Sequence, residues 1–272
     1  MKLSFVVSIS QTEFEAVAQG PWKSNIDYLA SLGYEAVELA IREAANIDKR
    51  ELSDYLSFKE LKVSALGTGQ IYLKENLSLS SKEDEIREKA VKRIHEHIDL
   101  AKELQTSVII GLIRGGIFDY SQRQRYESLF LDSLSEICAY AASKGVNILL
   151  EPINRYETAL LPTLESAAKT IYKLKYNCLG ILMDTFHMNI EEKDISESIL
   201  KFASLIKHVH FSDSNRLAPG QGHIDFCKVL DVLKKIGYEK YISFEILPKP
   251  DFKSAAKDSL SYIRKILEKE RI

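Results

Sequence analysis

The sequence predicts a single-domain (β/α)8 barrel spanning residues 1–272. Eight short runs rich in β-branched residues alternate with longer amphipathic segments. The chain has 272 residues, and eight strand–helix units occupy roughly 250 in this fold. No Pro-, Gly- or Ser-rich stretch marks a linker, so one domain is the simpler reading.

The first run, "KLSFVVSIS", imitates a leader only faintly. Its apolar stretch is short, serines break it, and "QTEFE" follows directly, so it reads as a strand. "EAVELAI" and "KVSALGTG" are the second and third strands. The alternative, a doubly wound open sheet, usually carries a Gly-rich turn after strand one. "SISQTEFE" has none, and "GTGQ" at 67–70 lacks the spacing of a dinucleotide fingerprint. "GTGQ" ends strand three, where it can line a pocket or simply make a turn. A helix over 83–104 shows Ile86, Ala90, Ile94, Ile98 and Ala101 at helical spacing. His95 and His97 lie on it among Arg and Glu and read as surface residues. "SVIIGLIRG" is strand four, and its apolar run ends at Arg114. A helix over 122–143 leads to "NILLEPIN", then come "LGILMDTFH", "IKHVHFSD" and "YISFEIL". "EEKD" at 191–194 reads as a solvated helix start, and a last helix covers 252–270.

The formal net charge is −2 and the pI about 6.3, so nothing suggests a nucleic-acid groove or an anionic membrane as partner. No run reaches the roughly 18 apolar residues of a membrane span. Cys138, Cys178 and Cys227 are scattered and form no C-x-x-C pair. They read as reduced thiols, which places the protein in the cytoplasm.

A barrel places its chemistry at the C-terminal ends of its strands. The last four strands end in Glu151, Asp184, His210 and Glu245, one strand–helix unit apart. Side chains alternate along a strand. If these four point inward, Leu150, Met183, Val209, Phe211, Phe244 and Ile246 point at the helices, and all are apolar. Leu149, Leu182, His208 and Ser243 then form the layer beneath. Three buried carboxylates and one imidazole repel one another without a cation. Oxygen ligands with one imidazole and no thiolate suit Mn²⁺, Mg²⁺ or Co²⁺. His187 follows Asp184 on the loop above the site, within reach of a substrate oxygen.

"LLEPINRYE", "MDTFHMNIEE", "HVHFSDSNRLAPGQGHIDF" and "ISFEILP" resemble the D-tagatose/D-psicose 3-epimerases. These are members of the sugar isomerase/epimerase superfamily of xylose-isomerase-like TIM barrels. The likeness covers the second half of the chain in order; the first half matches only in strand rhythm. It implies one divalent cation, commonly Mn²⁺ or Co²⁺, held by Glu151, Asp184, His210 and Glu245. It implies Glu151 and Glu245 as the catalytic acid/base pair, and Glu157, His187 and Arg216 as hydrogen-bond partners of a sugar. The family often forms homodimers or homotetramers, though no stripe here marks an interface.

The implied chemistry is epimerisation of a ketose or keto-sugar acid at the carbon beside the ketone, through a cis-enediolate. A cation stabilises that charge, and two carboxylates remove and return the proton on opposite faces. Arg114, at the rim of strand four, would fit a substrate carboxylate and so point to the 5-keto-L-gluconate epimerase branch. Otherwise it pairs with Asp119 or Glu157. Arg216 could instead pair with Asp213. His208 reads as a hydrogen-bonded histidine one layer below His210, and His223 as a loop contact or nothing. Two other enzymes share the barrel. An aldose–ketose isomerase of the hydroxypyruvate or xylose type uses a similar pair of glutamates. An endonuclease-IV-like repair enzyme needs further histidines on the early strands, and "ELAIRE" and "ALGTGQ" have none.

Overall fold

The computed structural model describes residues 1–269. Eight parallel strands close into one barrel in sequence order. They are β1 (Lys2–Ser8), β2 (Ala36–Ala40), β3 (Lys62–Gly67), β4 (Val108–Ile110), β5 (Ile148–Leu150), β6 (Leu179–Asp184), β7 (Ile206–Phe211) and β8 (Tyr241–Phe244). Each of the eight expected runs contains one of them. The helices between are α1 (Trp22–Leu32), α2 (Lys49–Phe58), α3 (Gly69–Glu75), α4 (Asp84–Glu103), α5 (Arg123–Lys144), α6 (Leu164–Leu174), α7 (Thr185–Glu191), α8 (Ile195–Lys201) and α9 (Phe226–Lys235), and α10 (Phe252–Lys269) follows β8. Position 270, the expected end of the last helix, lies outside the described residues.

The strands alternate in three dimensions as their sequences predict. Leu150, Met183, Val209, Phe211, Phe244 and Ile246 are buried in the large core between strands and helices. Leu149 and Leu182 pack with Ala65 and Ile109 in a separate cluster, which is the barrel interior. The helix starts follow from local sequence. Asp48, Asp194 and Asp225 cap α2, α8 and α9 through side-chain oxygens, and Thr163 with Ser166 makes a capping box on α6.

Two readings of the helices need correction. His97 is fully buried, and its ring nitrogens lie 2.7 Å from the Arg93 carbonyl and 3.0 Å from that of Ile41. It follows Ile94 by one helical turn and so shares the apolar stripe of α4. His95 is half-buried, stacked on Tyr140 at 4.2 Å. Nor is "EEKD" merely solvated. Glu191 holds Arg155 at 2.8 Å, and Glu192 accepts from the Leu164 backbone N–H at 2.8 Å.

Candidate active site

At the C-terminal mouth the structure brings Glu151, Asp184, His210 and Glu245 together. One donor atom from each lies within 4.8 Å of all the others. His210 Nδ1 is 3.5 Å from Glu151 Oε1 and 3.7 Å from both Asp184 Oδ2 and Glu245 Oε2. The four are not on one rung. Asp184 pairs in register with His210, but His210 pairs with Ser243, so Glu245 projects two residues further. The stagger is that of tilted barrel strands.

Glu151 Oε1, Asp184 Oδ2 and His210 Nδ1 are buried and have no hydrogen-bond partner. Buried polar atoms normally have one. Three orphaned atoms aimed at a common point, two of them carboxylate oxygens, suit a hard divalent cation. The chain's side of the fit is thus present. Asp184 divides its oxygens: Oδ1 caps α7 by accepting from the Phe186 N–H at 2.7 Å, and Oδ2 is left to the cluster. Burial, reinforced by the charges of Glu245 and Asp184, raises the Glu151 carboxyl to about 7 against the pull of His210. Burial would also raise Asp184, but His187, His210 and Arg216 outweigh it and hold it at about 2.

Glu157, His187 and Arg216 line the same cleft. Arg216 donates to Glu245 Oε2 at 2.8 Å and stands 3.7 Å from Glu157 Oε1, rather than pairing with Asp213. Its guanidinium carbon lies 4.7 Å from the Phe186 ring centre and 5.9 Å from that of Phe14. Its backbone φ of 60° is left-handed, an uncommon value for arginine. Asn154 organises the other two residues. Its Oδ1 accepts from the Tyr156 N–H at 3.0 Å, so its Nδ2 must donate, to Glu157 Oε1 and to His187 Nδ1, each at 2.8 Å. His187 therefore keeps its proton on Nε2 as a free donor. Burial, against the pull of Asp184, lowers this imidazole to about 4, so it stays neutral.

Arg114 is not where the sequence placed it. The side chain is wholly buried and absent from the cleft lining. Its Nε donates to the Gly111 carbonyl at 3.0 Å, and its Nη2 donates to the Glu151 carbonyl. The reason is the brevity of β4, which stops at Ile110; the 3₁₀ turn Leu112–Arg114 then folds the guanidinium back under Glu151. It pairs with neither Asp119 nor Glu157.

Sequence reasoning missed Glu38, Asn154 and Gly111. Glu38 on β2 is buried and accepts from His208 Nε2 at 2.8 Å and from His210 Nε2 at 3.0 Å. Burial raises its carboxyl, but the two imidazoles hold it well below the usual range. Strand parity was the available signal: Val37 and Leu39 face the helices, so Glu38 must face in. His208 is hydrogen-bonded, as expected. His223 is a loop contact, 2.9 Å from Ser214 Oγ. "GTGQ" contributes all four residues to the cleft lining. A Cβ at Gly111 would stand 2.6 Å from Glu151 Oε2, so any larger residue would displace that carboxylate from its present position.

Fold and donor set together define a barrel enzyme with its chemistry at one mouth. The chain belongs to the xylose isomerase-like TIM barrel family, whose model matches residues 26–266. It is 31% identical over 220 residues to an L-ribulose 3-epimerase of Methylomonas sp. (strain DH-1), covering 79% of this chain and 75% of that protein. It is 27% identical over 258 residues to a D-psicose 3-epimerase of Ruminiclostridium cellulolyticum, covering 90% and 83%. A 3-dehydro-D-guloside 4-epimerase of Escherichia coli is 34% identical over 134 residues, about half of each chain (49% and 51%). A solved L-ribulose 3-epimerase superposes with a TM-score of 0.86 at 24% identity, over 99% of this chain and 95% of that one, which shows the shared fold.

Proposed function

We propose that this carbohydrate epimerase acts on a neutral ketose, with Glu151 and Glu245 as the proton-transfer pair and one divalent cation held by Glu151, Asp184, His210 and Glu245. The observation that supports this most is the convergence of four donor groups, three of which bring a buried atom with no hydrogen-bond partner. When bound, the cation supplies Lewis-acid stabilisation of the negative charge that develops beside the ketone. Mn²⁺ suits this donor set best, with Co²⁺ and Mg²⁺ as substitutes.

The chain's own residues do the rest. Glu151 and Glu245 both line the cleft, and a carboxyl placed within reach of the substrate can take or give a proton. Arg216, donating to Glu245 Oε2 at 2.8 Å, holds the Glu245 carboxyl in place. One removes the proton on one face of the sugar and the other returns it on the opposite face. Their roles exchange with the direction of reaction. His187 Nε2–H and Arg216 donate to substrate oxygens, and Glu157 accepts from a hydroxyl. Four of the lining residues are glutamates, and the charge of the one arginine among them is already balanced by Glu245. Such a cleft favours a neutral sugar, of the D-psicose, D-tagatose or L-ribulose kind, over the keto acid that a rim Arg114 would have selected.

The test is incubation of Mn²⁺-loaded protein in D₂O with those ketoses, 5-keto-L-gluconate, D-xylose and hydroxypyruvate. We expect the epimer of a neutral ketose, with deuterium at the epimerised carbon. Aldose products, or an epimer without deuterium, would favour the isomerase alternative. Turnover of the keto acid alone would overturn the neutral-substrate reading.

A further inference from the structure

Glu38 is a buried carboxylate in the half of the barrel that supplies none of the four clustered donors. It reaches across to β7, where both Glu38 oxygens lie 3.0 Å from His210 Nε2 and Oε2 lies 2.8 Å from His208 Nε2. An ionised carboxylate only accepts. Each of these ring nitrogens must therefore carry a proton. A neutral imidazole protonated on Nε2 has its lone pair on Nδ1. In His210 that atom has no hydrogen-bond partner and faces Glu151, Asp184 and Glu245 at 3.5–3.7 Å.

We propose that Glu38 is the positioning residue of the site: by accepting the Nε2–H of His210 it fixes the tautomer that turns the Nδ1 lone pair towards the three carboxylates. His208 holds the same carboxylate from the layer below and prevents it from swinging away. This rests on the divalent-cation reading above. A carboxylate behind a ligating imidazole fixes ring orientation and makes the ring a better donor, and its loss typically weakens metal binding about 10–100-fold. The Glu38→Gln substitution keeps size but replaces one acceptor oxygen by an NH₂ donor. Two N–H groups then compete for one oxygen. A ring that meets the NH₂ must shift its proton to Nδ1, and in His210 that blocks the donor atom.

The experiment has two arms. The first titrates Mn²⁺ into metal-free wild type, Glu38→Gln and Glu38→Asp by calorimetry. We expect one site in wild type, about 10–100-fold weaker binding in Glu38→Gln, and partial recovery in Glu38→Asp, which keeps the charge. The thermal midpoint of metal-free Glu38→Gln is recorded alongside, and the sugar KM at saturating Mn²⁺ should be near that of wild type. Wild-type affinity in Glu38→Gln overturns the proposal. So does a second ion per chain lost with Glu38, which would make Glu38, His208 and His210 a ligand set. The second arm needs no variant to fold. Long-range ¹⁵N–¹H NMR of the metal-free wild type, at a pH alkaline enough for the His210 ring to carry a single proton, should show that proton on Nε2, and an Nδ1–H tautomer overturns the proposal. A wild type that takes up no cation defeats the metal reading instead, and the tautomer measurement still decides whether Glu38 sets the ring.

Discussion

The two halves of the barrel do different work at the same mouth. The second half, β5 to β8, contributes Glu151, Asp184, His187, His210, Arg216 and Glu245, all able to exchange a proton or hold a charge. The first half contributes mainly small and apolar residues to the lining, among them Phe14, Ala40, Gly67, Leu73 and Gly111, with Glu38 as its one ionisable residue there. One half therefore carries reactivity and the other carries space. On the proposed roles, change in the first half acts through the space it leaves, either on which sugar fits or, at Gly111, on the room left for Glu151.

The contrast breaks most severely if a proton-transfer residue proves dispensable. Glu245→Gln removes a charge and a proton carrier at once and should lower kcat by at least about a thousandfold, within the range of general acid–base groups. Steady-state rates in excess Mn²⁺ check this, and near-normal turnover would end the two-carboxylate reading. Gly111→Ala tests whether space in the first half matters as much. The new Cβ would meet Glu151 Oε2 at 2.6 Å and displace it. Misplacement on that scale costs on the order of a hundredfold in kcat, with the neighbouring fold intact by circular dichroism. Wild-type kcat would show that Glu151 has room to spare.

Arg114→Lys sharpens the comparison at the boundary between the halves. A lysine cannot reach both the Gly111 and Glu151 carbonyls in the geometry of the guanidinium fork. We expect kcat to fall about tenfold, or 1.4 kcal/mol, on neutral and acidic sugars alike. A KM increase confined to acids would restore the substrate contact that the sequence suggested. The smallest effect lies outside the mouth. Burial lowers the His97 pKa below its ordinary value despite the two carbonyl contacts. The unfolded chain then takes up the proton first as pH falls. Stability present above about 6.5 is lost below it, at no more than about 1.4 kcal/mol per pH unit for one group. Chemical denaturation at pH 7 and pH 5 should show this slope, and His97→Gln should flatten it. An unchanged slope in the variant would assign the acid sensitivity to other groups.

Much of this was legible in the sequence because alternation along a strand is rigid. Once Glu151, Asp184, His210 and Glu245 are set inward, Leu149 and Leu182 must lie in the barrel, and they do. The same rule applied to "EAVELAI" would have found Glu38, but a lone acid in a strand resembles a solvent-facing residue. Arg114 was not legible, because where β4 stops depends on packing and not on its apolar run. His97 was hidden by composition: Arg and Glu surround it in sequence, while helical geometry turns it onto the buried stripe. Asn154 carries no sequence signal, because its role appears only when β5 and β6 bring Glu157 and His187 within reach of one amide.

Asp184 has a consequence beyond chemistry. One of its oxygens starts helix α7 and the other faces the donor cluster. At the far end of α7, Glu191 anchors Arg155, and Glu192 just beyond it holds the first amide of α6. Whatever draws Asp184 towards the cluster also pulls on the cap of α7, and through these anchors on the loop that carries Asn154 and Glu157. Filling of the site should therefore be written into the amide-exchange rates of a helix two turns long and its anchored neighbours, which would report occupancy without any turnover of sugar.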